Sequence, residues 1–325
     1  MCCLFGLIDH NRIVSLKRKE KILKVLSAEC EARGTDATGI AYINNGRMLI
    51  HKAPLPAHKM KFKISGNPKV IMGHTRMTTQ GSEKNNFNNH PFYSTKLKFA
   101  LAHNGILCND AELRKSEELP KTYIKTDSYI AVQLIDKKEA LNLDSLKYMA
   151  EKVEGSFCFT VLDKYENLYI VKGDNPIVFA KTKDCWIYAS TDAILEKALN
   201  KLGISKYSKF EIDDGKIVKI AANGEISEIE FEIQTNFYGY LGYSGYYGNY
   251  DRYTFNSAFS NKYKTQYPKA AKYIGSLAEY DREYLDTLLY YGCNYGIDEN
   301  VIMSLLENGC TLYDIEDIIV DCEYM

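Results

Sequence analysis

The chain has 325 residues, 46% of them hydrophobic and 26% charged, with a formal net charge of −1 at pH 7. Such a composition is that of a soluble globular protein, long enough for one large domain plus a small one, and the charge total gives no argument for nucleic-acid binding. The nine cysteines are scattered, with no Cys-x-x-Cys pair, no metal-ligand spacing and no disulfide framework. With no apolar run of membrane-spanning length and no signal-peptide h-region, the expected compartment is the cytoplasm, and no membrane partner is expected.

In chain order, Leu4-Phe5-Gly6-Leu7-Ile8 reads as a buried strand. Residues 15–33 carry helical apolar spacing through Leu23, Val25, Leu26 and Cys30. Gly39 to Ile43, then Asn44-Asn45-Gly46, then Met48 to Ile50 read as a hairpin. Val70 to His74 and Phe99 to His103 are short buried strands, the second ending at Asn104-Gly105. Thr126-Asp127 is a cap signal for a helix over Ser128 to Ile135. A second helix is expected around Leu143–Val153, then strands at Phe157–Leu162, Leu168–Val171 and Trp186–Ser190. A helix at Ile194–Leu202 and strands near Phe210 and Ile217-Val218 complete the unit. Many strands with two helical zones point to packed sheets with helices outside.

The composition shifts near residue 236. Residues 1–235 hold 35 Lys/Arg and 29 Asp/Glu, a net of +6; residues 236–325 hold 6 and 13, a net of −7, together with 17 of the 26 tyrosines. Asn236 to Asn256 reads as a Tyr/Gly-rich linker. Beyond it, Leu288-Leu289-Tyr290-Tyr291-Gly292-Cys293 recurs as Leu305-Leu306-Glu307-Asn308-Gly309-Cys310, at an offset of 17 residues. Gly292 and Gly309 stand where helices end, and Asp298 and Asp314 are cap candidates. A small acidic bundle of three short helices is expected.

Cys2 stands directly behind Met1. Removal of Met1 would leave a thiol and a free α-amine on one residue. The thiol is an intrinsically strong nucleophile, and the amine, with a reference pKa of about 7.7–8.0, can take its proton near neutral pH. The structural alternative is a buried strand cysteine. Four further segments combine polar groups beside strand ends: Arg33-Gly34-Thr35-Asp36-Ala37-Thr38-Gly39, Gly73-His74-Thr75-Arg76, Asn89-His90-Pro91 and His103-Asn104-Gly105.

With Cys2-Cys3-Leu4-Phe5-Gly6, these segments resemble the class II (N-terminal nucleophile, Ntn) glutamine amidotransferases, the family of glucosamine-6-phosphate synthase and asparagine synthetase. The resemblance continues through Thr126-Asp127-Ser128, Glu154-Gly155-Ser156-Phe157, Asp163 and Asp174-Asn175-Pro176, and covers roughly residues 2–232 in the family's order. It implies an α+β, four-layer αββα sandwich (the Ntn-hydrolase fold) over residues 2–235, followed by a linker over 236–265 and a helical module over 266–325. It also implies that Cys2 attacks the side-chain amide of L-glutamine and forms a γ-glutamyl thioester. Ammonia leaves, and water releases glutamate, with no metal or organic cofactor.

The site roles follow by the same resemblance. Arg76 holds the α-carboxylate, for which a forked guanidinium is the natural partner, and Asp127 holds the α-ammonium, beside its reading as a helix cap. Asn104 and the Gly105 N–H supply the oxyanion hole, against the reading of Asn-Gly as a turn. Thr79 and His90 are expected near the substrate, and Arg33, Asp36 and His74 brace the site. Cys3 replaces the family's glycine, Met77 its aromatic residue and Gln80 a frequent histidine.

The chain shows no phosphate loop and no pyrophosphatase loop of the Ser-Gly-Gly type. The expectation is therefore a glutaminase that passes ammonia to a separate acceptor protein, docked by the acidic tail. The alternatives are an amide hydrolase of the same fold acting on another γ-glutamyl substrate and a non-catalytic binding module.

Overall fold

A computed structural model describes residues 2–234 and 265–277, and, discontinuously, residues within 285–318. The chain divides into two compact units, Met1–Gly242 and Tyr243–Met325.

The first unit is built on two antiparallel sheets. The seven-stranded sheet runs in the order β11 (Ser208–Glu211), β9 (Val178–Lys181), β10 (Trp186–Ala189), β1 (Cys3–Ile8), β4 (Val70–Arg76), β2 (Ala37–Asn44) and β3 (Arg47–Ala53). The six-stranded sheet runs β13 (Ile226–Glu230), β12 (Lys216–Ile220), β8 (Leu168–Lys172), β7 (Gly155–Leu162), β6 (Ala100–Leu107) and β5 (Phe92–Tyr93). Helices α1 (Leu16–Cys30) and α5 (Asp192–Lys201) pack on the first sheet, and α3 (Tyr129–Lys137) and α4 (Leu143–Lys152) on the second. A short α2 (Asp110–Ser116) precedes α3.

The four layers follow from the alternation of β1. Cys3, Phe5 and Leu7 face the helix layer with Ile22, Leu23, Leu26 and Cys30 of α1, while Leu4 and Ile8 face the other sheet, with Ala100, Ala102 and Cys158. A strand buried on both faces reads as an unbroken apolar run, and burial of each such Leu, Ile or Phe contributes about 1.5–3 kcal/mol. Asp9, which ends that run, forms a fully buried ion pair with Lys19 of α1 at 2.9 Å. Its carboxylate also accepts the Ile13 and Val14 N–H groups, and Lys19 donates to Asn67 Oδ1 and the Pro68 carbonyl. Both charges are therefore hydrogen-bonded as well as paired, as burial demands.

The structure corrects the sequence reading in four places. The strand expected to end at Asn104-Gly105 runs on: β6 continues through them to Leu107, opposite Cys158 and Phe157 of β7. Asp127 is not the cap of α3; Ser128 holds that position, and no side chain caps the helix. Strands β5, β9 and β13 and helix α2 were absent from the reading. The helix read over 15–33 ends at Cys30, with Ser15 as its N-cap accepting the Arg18 N–H.

In the second unit, α6 (Pro268–Ser276) packs against α7 (Glu299–Glu307) through Ala270, Ala271, Ile274, Ile302, Met303 and Leu306. The Glu307 carboxylate accepts the Lys269 and Ala270 N–H groups at 2.8 and 2.9 Å, placing a negative charge at the N-terminal end of α6. Gly309, at φ 91°, ends α7 with Gly309 N–H to Leu306 O and Cys310 N–H to Leu305 O, the Schellman pattern. Asp314 caps through a partner: its carboxylate accepts the Thr311 N–H while the Thr311 hydroxyl accepts the Asp314 N–H, so Thr311 holds the cap position. Asp298 and the Tyr290–Cys293 stretch of the first repeat copy lie outside the described residues. So does the linker expected over 236–265, except for its last residue.

Candidate active site

Register brings the expected residues to one end of the space between the sheets. Strands β1 and β4 pair Cys3 with Thr75, so Cys2 comes opposite Arg76 one step further on. Even-numbered residues of both strands face the second sheet, as Leu4 and Met72 do where they share a core with Ala102 of β6. His74, paired with Leu4, crosses the gap and reaches the His103 carbonyl at 2.9 Å. Position 104 of β6 therefore faces the beginning of β1.

The Cys2 Sγ lies 3.5 Å from the Met77 carbonyl, and the Arg33 Nε donates to the Cys2 carbonyl at 2.9 Å. Burial pushes the Cys2 thiol up, while the N-terminal positive charge, the Met77 hydrogen bond and Arg76 pull it back. The nearby Asp127 adds to the upward shift. Cys3 points the other way, fully buried beneath α1 in the core that holds Cys30. A side chain is accommodated there because it enters the helix–sheet layer, away from Cys2.

Arg76 is 4% exposed, and its guanidinium is braced on three sides. Nη1 donates to Asn89 Oδ1 at 2.8 Å, and Nη2 donates to the Gln80 and Gly81 carbonyls at 2.5 and 2.9 Å. Asp36 fixes the same turn, donating its N–H to the Arg76 carbonyl and accepting the Thr78 N–H at 2.7 Å. Gly34 explains the glycine of that motif: a Cβ there would sit 2.5 Å from the Arg76 carbonyl carbon. Thr79 is half-buried in the turn after β4.

Asp127 is buried, its Oδ2 accepting the Leu107 N–H at 2.7 Å and its Oδ1 the Ser128 hydroxyl at 3.2 Å. Burial pushes its carboxyl up, and those hydrogen bonds and Arg76 oppose the shift. His103 Nδ1 lies 2.8 Å from the same hydroxyl. Since the hydroxyl proton goes to the carboxylate, this bonding assigns the His103 proton to Nδ1. His74 Nε2 donates toward the His103 carbonyl and lies 2.9 Å from His90 Nδ1, which also accepts the His103 N–H at 3.4 Å. His74, His90 and His103 thus form one buried cluster. Burial holds all three imidazoles neutral, His103 down to about 3 and the others well below their ordinary value. The His90 ring also meets Phe92 edge-on, with ring centroids 4.4 Å apart.

Asn104 is fully buried, and neither its Nδ2 nor its Oδ1 has a hydrogen-bond partner among the described residues. An unpaired buried amide costs about 1–3 kcal/mol, so its presence near the beginning of β1 points to a ligand. Gly105, at φ 136°, has no room for a Cβ, which would lie 2.0 Å from the Ser156 carbonyl oxygen. Asn175 secures this peptide by donating to the Asn104 carbonyl at 3.0 Å, and Asp174 accepts the Phe157 N–H alongside. With one oxyanion donor worth about 10²–10³ in kcat, Asn104→Ala is expected to lower glutamine turnover by about that factor with little change in KM. Steady-state kinetics check this; a turnover within fivefold of wild type would remove Asn104 from the oxyanion role.

Sequence reasoning missed Lys52, Asn89 as a brace for Arg76, the Ser128 relay and Ser190, whose hydroxyl accepts the Leu4 N–H at 2.8 Å. Asn89 and Ser128 lay inside motifs already noted, whereas Lys52 and Ser190 carried no local signal. Among the described residues no group of three or more His, Cys, Asp or Glu side chains is arranged to hold a metal ion.

Comparison with known proteins agrees with this geometry. Residues 74–197 match the family model described as a glutamine amidotransferase domain. The glutamine–fructose-6-phosphate aminotransferase of Chlamydia trachomatis is 31% identical over 59% of this chain and 32% of its own length. That of Sulfolobus acidocaldarius is 28% identical over 72% and 42%. The glutamine phosphoribosylpyrophosphate amidotransferase of B. subtilis superposes with a TM-score of 0.57 at 21% identity, over 72% of this chain and 50% of that one. Residues 74–197 thus carry a glutamine amidotransferase domain, and the superposition shows the amidotransferase fold. It spans between 30 and 42% of the length of the curated relatives it matches.

Proposed function

We propose that this protein hydrolyses the side-chain amide of L-glutamine through a thioester on Cys2 and passes the ammonia to a separate acceptor protein. The observation that carries the reading is the meeting of Cys2, Arg76 and Asp127 with the unpartnered Asn104 amide at one end of the sheet interface. Arg76 and Asp127 complement an amino-acid head group. Asn104 Nδ2 and the Gly105 N–H complement the oxygen that becomes negative as the thiolate adds. The Cys2 α-amine, freed by loss of Met1, takes the thiol proton and returns it to the leaving ammonia. Water then attacks the thioester. Each step balances with no metal or organic cofactor, and His90 and Thr79 complete the substrate surroundings.

On this reading the glutaminase domain occupies residues 2–235. The helical module over 266–325, acidic and with its own small core, serves as the docking element for the acceptor. The relatives carry much longer chains under names that join glutamine to an acceptor sugar phosphate, which motivates an acceptor for this domain too. Arg76 and Asp127 favour this over hydrolysis of an amide without an amino-acid head group. The unpaired Asn104 favours it over a purely structural module.

The test is intact-mass analysis followed by labelling with a diazoketone analogue of glutamine. Loss of Met1, one label mapped to Cys2 and glutamate release from glutamine are expected. A retained Met1, or label on another cysteine, would overturn the nucleophile assignment. Hydrolysis of other amides but not of glutamine would transfer the reading to a different substrate. Deleting residues 236–325 tests docking; unchanged partners in a pull-down would remove that role.

A further inference from the structure

We infer that Lys52 is a positioning residue for Arg76, fixing the segment Asn89–Pro91 against which the guanidinium is braced; this rests on the glutaminase reading. Lys52 lies on β3, opposite Gly39 of β2. A lysine on an edge strand ordinarily snorkels its ammonium into water. Here the Nζ turns inward and donates to two main-chain carbonyls, those of Asn89 and Pro91, the latter at 3.0 Å, while lying 5.4 Å from the centroid of the Phe92 ring. No carboxylate pairs with it among the described residues.

The two carbonyls flank His90, so one ammonium holds both ends of the segment. A second tie runs from Asn86 Nδ2 to the Lys52 carbonyl at 2.8 Å. Asn89 carries the effect onward. Its Oδ1 accepts Arg76 Nη1, and its Nδ2 is spent on the Glu83 carbonyl and Asn86 Oδ1. Lys52 therefore sets the main chain of Asn89, Asn89 sets the guanidinium, and the guanidinium faces the substrate carboxylate. The charged and titratable groups that face Lys52 are Arg76 on β4 and the two neutral imidazoles of His74 and His90. Burial first, and then the like charge of Arg76, bring the Lys52 ammonium down to about 8.

Loss of the Lys52 charge above that pH weakens the hold on the carbonyls and hence on Arg76. The effect on folding has the opposite sign. A lysine whose folded pKa lies below its unfolded value gives a contribution to stability that rises between about pH 8 and 10. Substrate affinity and the Lys52 contribution to stability thus move apart with pH, which a general structural role would not produce.

The experiment measures glutaminase kinetics and thermal midpoints of the full chain, its Lys52→Met variant and its Lys52→Arg variant from pH 6.5 to 9.5. Lys52→Met is expected to raise the glutamine KM about tenfold with kcat within about twofold, the signature of lost ground-state binding. Lys52→Arg should keep KM within about threefold of wild type and lose the rise in KM that wild type shows above about pH 8, because a guanidinium does not titrate there. A wild-type KM that is flat across pH 8, or an unchanged KM in Lys52→Met beside active wild type, overturns this inference alone. So does a joint fall of kcat and thermal midpoint with KM unmoved. Wild type that fails to hydrolyse glutamine overturns the glutaminase reading and this one with it.

Discussion

Replacing Cys2 with alanine is expected to lower glutamate release by about 10⁴-fold or more, the scale seen when a covalent nucleophile is deleted, while glutamine binding persists. The reason for the split lies in the architecture. On the proposed function, head-group recognition belongs to Arg76 at the end of β4 and to Asp127 before α3, and neither depends on the thiol for its hydrogen bonds. Cys2 contributes its carbonyl to Arg33 Nε, a main-chain contact that alanine keeps. The small side chain of alanine also preserves removal of Met1, so the α-amine remains in place. Calorimetric titration with glutamine should give a dissociation constant within about threefold of the inactive-state value for wild type, because only ground-state contacts remain. Loss of binding together with turnover would show that Cys2 also shapes the pocket; retained turnover would end the thioester mechanism.

Acidification is expected to destabilise the first unit steeply. His74, His90 and His103 are held neutral in the folded protein, with folded pKa values below the unfolded value of about 6.5. The unfolded chain therefore binds more protons below that pH, and stability present at neutral pH is lost as pH falls through about 6.5 and onward. Each histidine contributes about 1.4 kcal/mol per pH unit in that window, about 4 kcal/mol per unit for the cluster. The raised carboxyls of Asp127 and Asp110 act in the opposite sense and offset part of this as pH falls toward the ordinary carboxylate range. Urea titration at pH 7.5 and 5.5 should show a clear fall in midpoint, and His103→Gln should flatten the dependence by about a third if the three sites act independently. Equal midpoints at the two pH values would contradict the neutral cluster.

The residues proposed to face the substrate carry a signal in the sequence, because chemistry restricts the residue type. A carboxylate selects an arginine, an ammonium a carboxylate, an oxyanion an amide beside a glycine. The apolar run of β1 and the Asn44-Asn45-Gly46 hairpin were legible for a different reason: local pattern alone decides them. The strand end read at Asn104-Gly105 falls instead at Leu107, because the glycine, at φ 136° against Ser156 and Asn175, continues the ladder. Strand β9 escaped because only four residues separate Ile177 from the polar Thr182 turn. Edge strand β13 escaped because four of its five residues are exposed. Lys52 and Ser190 were illegible in principle. They act through main-chain groups, which every residue possesses, so no side-chain pattern announces them.

The alternation of β1 has a consequence for oxidative damage. Neighbouring thiols in a chain often rescue one another, a sulfenic acid on the first condensing with the second to a disulfide that reductants reopen. Here the pleat turns Cys2 and Cys3 to opposite sides of a sheet, one toward the second sheet and the other under α1. Cys3 therefore cannot serve as a resolving thiol for Cys2. Peroxide treatment should leave Cys2 recoverable only while a small diffusible thiol is present, and otherwise drive it to the irreversible acids.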